Sequence, residues 1–346
     1  MFRGEPRTPV GLPPPRDHTR RMSTAPQNDT SPPPASPRAA PWRVLRADDD
    51  LRLLAAQRLV ERNAKGDTMV AAKRFLAVAQ AHRIDLKNMW ASVAPDGARV
   101  RHVCLATAGA GRTLMLFTSS PADEDDAKEL SSVIDHACAN TDGAALAQAL
   151  LEPGDDLILS AMLSAGFSRI ADLAYLKRPN APRPPRAPAP PELPEGVRLH
   201  RWRKGDDHRL LQALDRTYED TLDCPQLCAL RDTRDVLDSH RATGVFDAAY
   251  WWIITENDRP EGAMLFNPCP AQQHVELVYL GLSPRLRGRA IAAPLLDFAL
   301  ASIAHKRREP TVTCAVDTAN APALRLYDRA GFEPFGRRIA LVRKIG

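Results

Sequence analysis

The sequence predicts an α/β protein built of two similar halves behind a proline-rich tail. Three observations lead to that class. Helix-like and strand-like runs follow one another in a similar order twice along the 346 residues. Two stretches, 1–41 and 178–195, hold too much proline to join either kind of run, and they part the chain into segments 42–177 and 196–346. The triplet Ala165-Gly166-Phe167 returns as Ala330-Gly331-Phe332, an offset of 165 residues that suggests a diverged internal duplication.

In chain order the tail comes first. Runs such as Pro13-Pro14-Pro15 and Pro32-Pro33-Pro34 leave too little apolar surface to offset the entropy of ordering, so disorder is expected over 1–41. The tail is arginine-rich and acid-poor like a targeting peptide, but shows no amphipathic helix, and Met22 is an alternative start. Helix-like apolar spacing follows over 51–62 and 69–81, then strand-like runs over 88–93, 100–106 and 113–118. A helix over 126–139, a strand over 145–151, a short helix over 157–163 and a strand over 170–176 close the first half. The stretch 178–195 reads as a semi-rigid extended connector. The second half begins with a strand over 197–201, helices over 206–217 and 233–239, and strands over 249–256, 262–267 and 274–282. A helix from about Arg289 to Lys306, a strand over 311–316, a helix over 321–330 and a last strand over 338–343 complete it.

Composition bounds the function. The chain is 44% hydrophobic, ordinary for a globular protein. It has no apolar run of the roughly 18 residues a membrane span needs and no secretory signal, so a soluble, cytoplasmic protein is expected. The net charge of +5 divides into +4 over 1–45, −4 over 46–176 and +5 over 177–346. A polyphosphate ligand suits the second half better than the first. No basic stripe interleaved with aromatics argues for nucleic acid. Of six cysteines only Cys224 and Cys228 are close in sequence, and no second pair completes a zinc set, so reduced thiols and no metal are expected.

The segment His274 to Leu296 carries the sharpest pattern. An apolar strand runs into a turn holding Arg285, Arg287, Gly288 and Arg289, and then into a helix. Backbone N–H groups at a helix start lack intrahelical partners, and the dipole there favours anions. Gly288 lets the backbone approach a pyrophosphate without a Cβ in the way. Alone, such a turn is commonplace. Here Arg285-Leu286-Arg287-Gly288-Arg289-Ala290 resembles the Arg/Gln-x-x-Gly-x-Gly/Ala motif of the GNAT acyltransferase superfamily. Downstream, Asn320 through Leu326-Tyr327 to Gly331-Phe332 resembles that family's Asn-x-x-Ala-x-x-Leu-Tyr-x-x-x-Gly-Phe segment.

The resemblance covers roughly 275–335 and implies two GNAT-like domains, each a mixed, mostly antiparallel sheet flanked by helices. It implies acetyl-CoA as co-substrate. The backbone of Leu280, Gly281 and Leu282 would meet the acyl and pantetheine arm, and the N–H groups of Arg287, Gly288, Arg289, Ala290 and Ile291 would cradle the pyrophosphate beside the charge of Arg285. Asn320 would bond to the pantetheine arm. Tyr327 would protonate the leaving thiolate, unless it is a core tyrosine. Glu276 matches a family general base, and is otherwise a solvated or ion-paired carboxylate. Pro294 stands where a helix former is usual and predicts a slight distortion.

The first half lacks these residues. The turn after its strand 113–118 is acidic and without glycine, and the 165-residue offset sets Asp155 and Met162 opposite Asn320 and Tyr327. It reads as a degenerate GNAT-like half, an arrangement that resembles mycothiol synthases in architecture alone. The family's acceptor pocket would fall at 218–231 and His240, where Glu219, Asp220 and Asp223 cluster; His240 reads as structural, and one of Trp251 and Trp252 as lining the cleft. The expected function is acyl transfer from acetyl-CoA to a small-molecule or peptide amine, without nucleic acid or membrane partners. The alternatives are a non-catalytic acyl-CoA sensor or scaffold and an adaptor acting through the tail.

Overall fold

In the computed structural model, the structure describes residues 42–345 except 183 and 229; the expected tail lies outside them. The first half runs β1 (Arg43–Arg46), α1 (Asp49–Val60), α2 (Thr68–Ala81), β2 (Met89–Val93), β3 (Val100–Gly109), β4 (Thr113–Thr118), α3 (Glu124–Ala139), β5 (Leu146–Leu151), α4 (Asp156–Ser164) and β6 (Ser168–Pro179). The second runs β7 (Val197–Arg201), α5 (Asp207–Tyr218), α6 (Thr233–Ala242), β8 (Trp251–Glu256), β9 (Arg259–Cys269), β10 (His274–Leu282), α7 (Ala292–Lys306), β11 (Thr311–Asp317), α8 (Ala321–Arg329) and β12 (Glu333–Lys344). The short polar strand β1 escaped the sequence reading because its four residues show no alternation of buried and exposed sites.

The strands form one mixed, mostly antiparallel sheet of 12 in the order β1-β2-β3-β4-β5-β12-β6-β11-β10-β9-β8-β7. The centre of that order is an exchange. β12, last in the chain, pairs with β5 of the first half, while β6 of the first half pairs with β11 of the second. Each half is therefore completed by the other's final strand. The 165-residue offset holds through the exchange: Ala149 faces Leu341, and Cys314, its counterpart, faces Leu176, the counterpart of Leu341.

Burial follows the same crossing. The core beneath α7 and α8 takes Ala174 and Leu176 from β6, together with Trp252, Leu277, Leu295 and Phe332. The core beneath α3 and α4 takes Ile339 and Leu341 from β12. A third cluster, with Leu210, Leu214, Leu237 and Trp251, seats α5 and α6 on β8 and β9. Both Trp251 and Trp252 are core residues, so the expectation that one lines the cleft is corrected: their strand lies between helices on both faces and alternation buries both.

Helix α7 begins at Ala292 rather than near Arg289. Gly288 and Ala290 take left-handed backbone angles, φ +75° and +57°, which no right-handed helix accommodates. Pro294 consequently falls in the first turn, where its missing N–H has no intrahelical partner to lose.

Candidate functional site

Strands β10 and β11 are parallel but pair only from His274–Thr311 to Glu276–Thr313. Beyond Glu276 they part. Strand β10 continues along β9, with a register shift between Leu277 and Tyr279 that leaves Val278 as a bulge. Leu280, Gly281 and Leu282 pair with Met264, Ala263 and Gly262 on one side, so their other edge faces the gap toward β11. In the first half β4 pairs with β3 without a shift. The bulge thus belongs to the half that carries the Arg- and Gly-containing turn.

At the end of the gap the chain turns through 283–291. The N–H groups of Leu286 and Arg287 both go to the Ser283 carbonyl, at 3.0 and 3.1 Å. Those of Gly288, Arg289, Ala290 and Ile291 donate to no group among the described residues, and α7 has no side-chain cap. A Cβ on Gly288 would meet nothing within 4 Å, so the turn is open on that side. Four free donors at an uncapped helix start are an arrangement that can hold an anion. The expected N–H of Arg287 is not free. Its guanidinium ties the turn to the end of α5, through the carbonyls of Leu282 (2.8 Å), Asp220 (2.9 Å) and Thr217 (2.8 Å). Arg285 and Arg289 pair with Glu256, which stations positive charge beside the turn.

The corresponding helix start in the first half is closed. Asp123 caps α3 by accepting from Asp126 N at 2.9 Å, and Asp126 accepts from Ala122 N at 3.2 Å. Arg101 pairs with both Asp126 and Glu129, leaving the start net negative. The acids crowded at that start would repel phosphate.

Tyr327, on α8, is 6% exposed and packs edge-on to Phe332 at 5.6 Å. Its hydroxyl makes no hydrogen bond among the described residues. Burial, and after it the neighbouring Cys314, Asp223 and Tyr279, raise the phenol well above its ordinary range. It keeps its proton at neutral pH. Met162, its counterpart in α4, is fully buried and has nothing to donate.

Glu276 sits on β10 at the last residue paired with β11, and its carboxylate lies 3.8 Å from His274 Nε2. Burial raises it and His274 holds it back. Asn320 caps α8, its Oδ1 accepting from Ala323 N at 3.2 Å. It therefore shapes the turn after β11 whatever else it binds.

Residues outside the motifs line the same region. Tyr279, just past the bulge, bonds through its hydroxyl to Thr217 Oγ1 at 2.6 Å and stands between the rings of Tyr218 and His240, at 6.0 and 5.2 Å. The Tyr279 ring also covers Gly281, where a Cβ would come within 2.8 Å of its carbons. The acidic loop after α5 docks by one member. Asp223 accepts from Asp317 N at 2.9 Å, while Asp317 accepts from Cys224 N at 3.2 Å. Burial raises Asp223, opposed by the Asp317 N–H and by Asn320. Sequence reading found the loop but could not pick Asp223 from its neighbours, because the selection is made by contact with β11.

Residues 212–332 match the acetyltransferase (GNAT) family. Mycothiol acetyltransferase of Brachybacterium faecium is 28% identical over 195 residues, 53% of this chain and 55% of that protein, so the chain spans about half the length of this curated relative. A GCN5-related N-acetyltransferase from Sphaerobacter thermophilus aligns over 88% of this chain and 95% of its own, with a TM-score of 0.55 and 19% identity. A GCN5-related glucosamine N-acetyltransferase region of a fungal multi-domain GH3 beta-N-acetylglucosaminidase covers 89% of this chain and 38% of its own, with a TM-score of 0.54 and 14% identity. At such identities the two structures speak for the fold. The family match lies within the second half, while the pseudo-repeated sheet runs through both halves.

Proposed function

We propose that the protein transfers an acetyl or similar acyl group from acetyl-CoA to an amine by direct attack. One observation carries the reading: the four unpaired N–H groups of 288–291 stand at an uncapped helix, at the end of a strand that parts from its neighbour beside a buried, protonated tyrosine. The turn binds the pyrophosphate, and the free edge of Leu280–Leu282 holds the acyl arm. The amine nitrogen bonds to the acyl carbon and gives its proton to Glu276; the carbon–sulfur bond breaks, and Tyr327 passes its proton to the sulfur. The acceptor lies between the β10 gap and the elements carrying Tyr218, Asp223 and His240. We further assign the cofactor-binding domain to 196–346 and a supporting role to 42–177.

Calorimetric titration of acetyl-CoA into the intact protein and into Gly288→Glu tests this first. Saturable micromolar binding that the variant loses is expected, since a carboxylate would enter the open side of the turn. No binding to the intact protein would sink the enzyme reading and leave a scaffold.

A further inference from the structure

The hairpin joining β3 to β4 belongs to the half without a phosphate turn, yet its tip is keyed into α6 of the other half. Arg112 places Nε on both carboxylate oxygens of Asp235, at 3.1 and 3.0 Å, and Nη2 on one of them at 2.6 Å. The same Nη2 reaches Asp232 at 2.6 Å. From the other side, Arg231 Nη2 donates to the carbonyls of Gly111 (3.2 Å) and Asp235 (2.7 Å) and to Ser239 Oγ (2.5 Å). Ser239 Oγ in turn donates to the carbonyl of Ala110 at 2.9 Å. Gly111 has φ +67°, and a Cβ there would lie 1.9 Å from the Asp235 carbonyl oxygen. Backbone meets backbone at that point, so a side chain fits only if α6 moves.

One residue beyond Ser239, His240 lays its ring on Tyr279 at 5.2 Å with 36° between the planes. Its Nε2 is buried and has no partner among the described residues. Burial, with Arg231 nearby, lowers its pKa to about 4, which keeps the imidazole neutral. A buried ring nitrogen without a partner beside Tyr279 is a polar group left unsatisfied. Contacts therefore run from Arg112 through Asp235, Arg231 and Ser239 to the adjoining His240 and its ring partner Tyr279.

We propose that the β3–β4 hairpin tip positions α6, and through His240 sets the acceptor wall at Tyr279, making Gly111 and Arg112 specificity-determining positions for a site in the opposite half. The acceptor part of this rests on the acyl-transfer reading; the hold on α6 does not. A partly exposed ion pair adds little to global stability, so the effect to look for is geometric and local.

The test uses the full chain with Arg112→Ala, Gly111→Ala and the charge exchange Arg112→Asp with Asp235→Arg. Backbone amide exchange over 233–242 is measured first. Kinetics follow by thiol release from acetyl-CoA, with the best-turned-over member of a primary-amine panel as probe. Arg112→Ala should speed exchange in α6 at least tenfold and raise the amine KM about tenfold, with the acetyl-CoA KM held within twofold. Gly111→Ala should act the same way, and the charge exchange should recover a large part of both effects. Unchanged exchange in α6 would overturn the proposal, as would the two KM values rising together. If the intact protein turns over no amine, the acyl-transfer reading fails instead, and the exchange measurement alone decides whether the hairpin holds α6.

Discussion

Tyr327 is surrounded so that its phenol stays protonated, and a buried acid that never ionises at working pH is suited to meet a departing thiolate. Phenylalanine would keep the edge-on contact with Phe332 and the core beneath α8 while removing that proton. Tyr327→Phe is expected to lower kcat by about 10²-fold with acetyl-CoA affinity nearly unchanged; steady-state rates beside a calorimetric titration check it, and equal loss of both would make Tyr327 a core residue. His240 gives a stability prediction of opposite character. Its folded pKa of about 4 lies below the ordinary 6.5, so as pH falls the unfolded chain takes the proton first. Stability from the neutral ring is whole above about 6.5 and is lost toward pH 4, by up to about 3 kcal/mol. Urea midpoints at pH 7, 5 and 4 should show that slope, and His240→Phe should flatten it by the same amount. At this scale the sequence disclosed Tyr327 and Asn320 because they stand inside a spaced motif. Tyr279, Thr217 and Asp223 have no such spacing, since they meet only where α5, its following loop and two strands come together.

At the scale of elements, what distinguishes the two halves is the treatment of one helix start. Helix α3 is capped by Asp123 and surrounded by acids, while α7 has no side-chain cap and follows two left-handed residues. Composition made the acidic start legible, and Gly288 made the turn legible. The left-handed Ala290 was not, because alanine does not announce such a backbone. The same displacement of the helix start determines what Pro294 does. A proline inside a helix costs about 3 kcal/mol or more, but in the first turn it forfeits no hydrogen bond. Pro294→Ala should therefore change the unfolding free energy read from urea titration by less than about 0.5 kcal/mol and leave acetyl-CoA binding as it was; a gain of several kcal/mol would mean that the proline strains the turn. The strand lengths follow the same logic: β6 and β12 outrun their apolar cores by several residues because each must span two partners, and pairing partners are invisible to alternation within one strand.

For the whole molecule, the repeat was legible in the sequence and the exchange was not. The offset of 165 residues aligns α4 with α8, β5 with β11 and β6 with β12, but it holds equally whether each half keeps its last strand or trades it. The trade is settled by which edges remain to be paired, a property of the assembled sheet. Its consequence is that neither half closes its own core. Without β6, the cluster beneath α7 and α8 loses Ala174 and Leu176, and β11 loses the antiparallel partner that carries it from Thr311 to Asp317. Without β12, the cluster beneath α3 and α4 loses Ile339 and Leu341. Each buried leucine is worth about 2 kcal/mol, and a bared central strand adds unpaired backbone groups to that loss. A domain of this size has roughly 5–15 kcal/mol in hand, so removing a central strand should take either half to the edge of unfolding. Residues 42–190 and 191–346, prepared separately, are expected to show no cooperative thermal transition and, for the second, no acetyl-CoA binding. Mixed and refolded together they should recover both, because the exchanged strands supply the interface. A second half that melts cooperatively and binds acetyl-CoA alone would show that β6 is dispensable and that the halves are independent domains lying side by side.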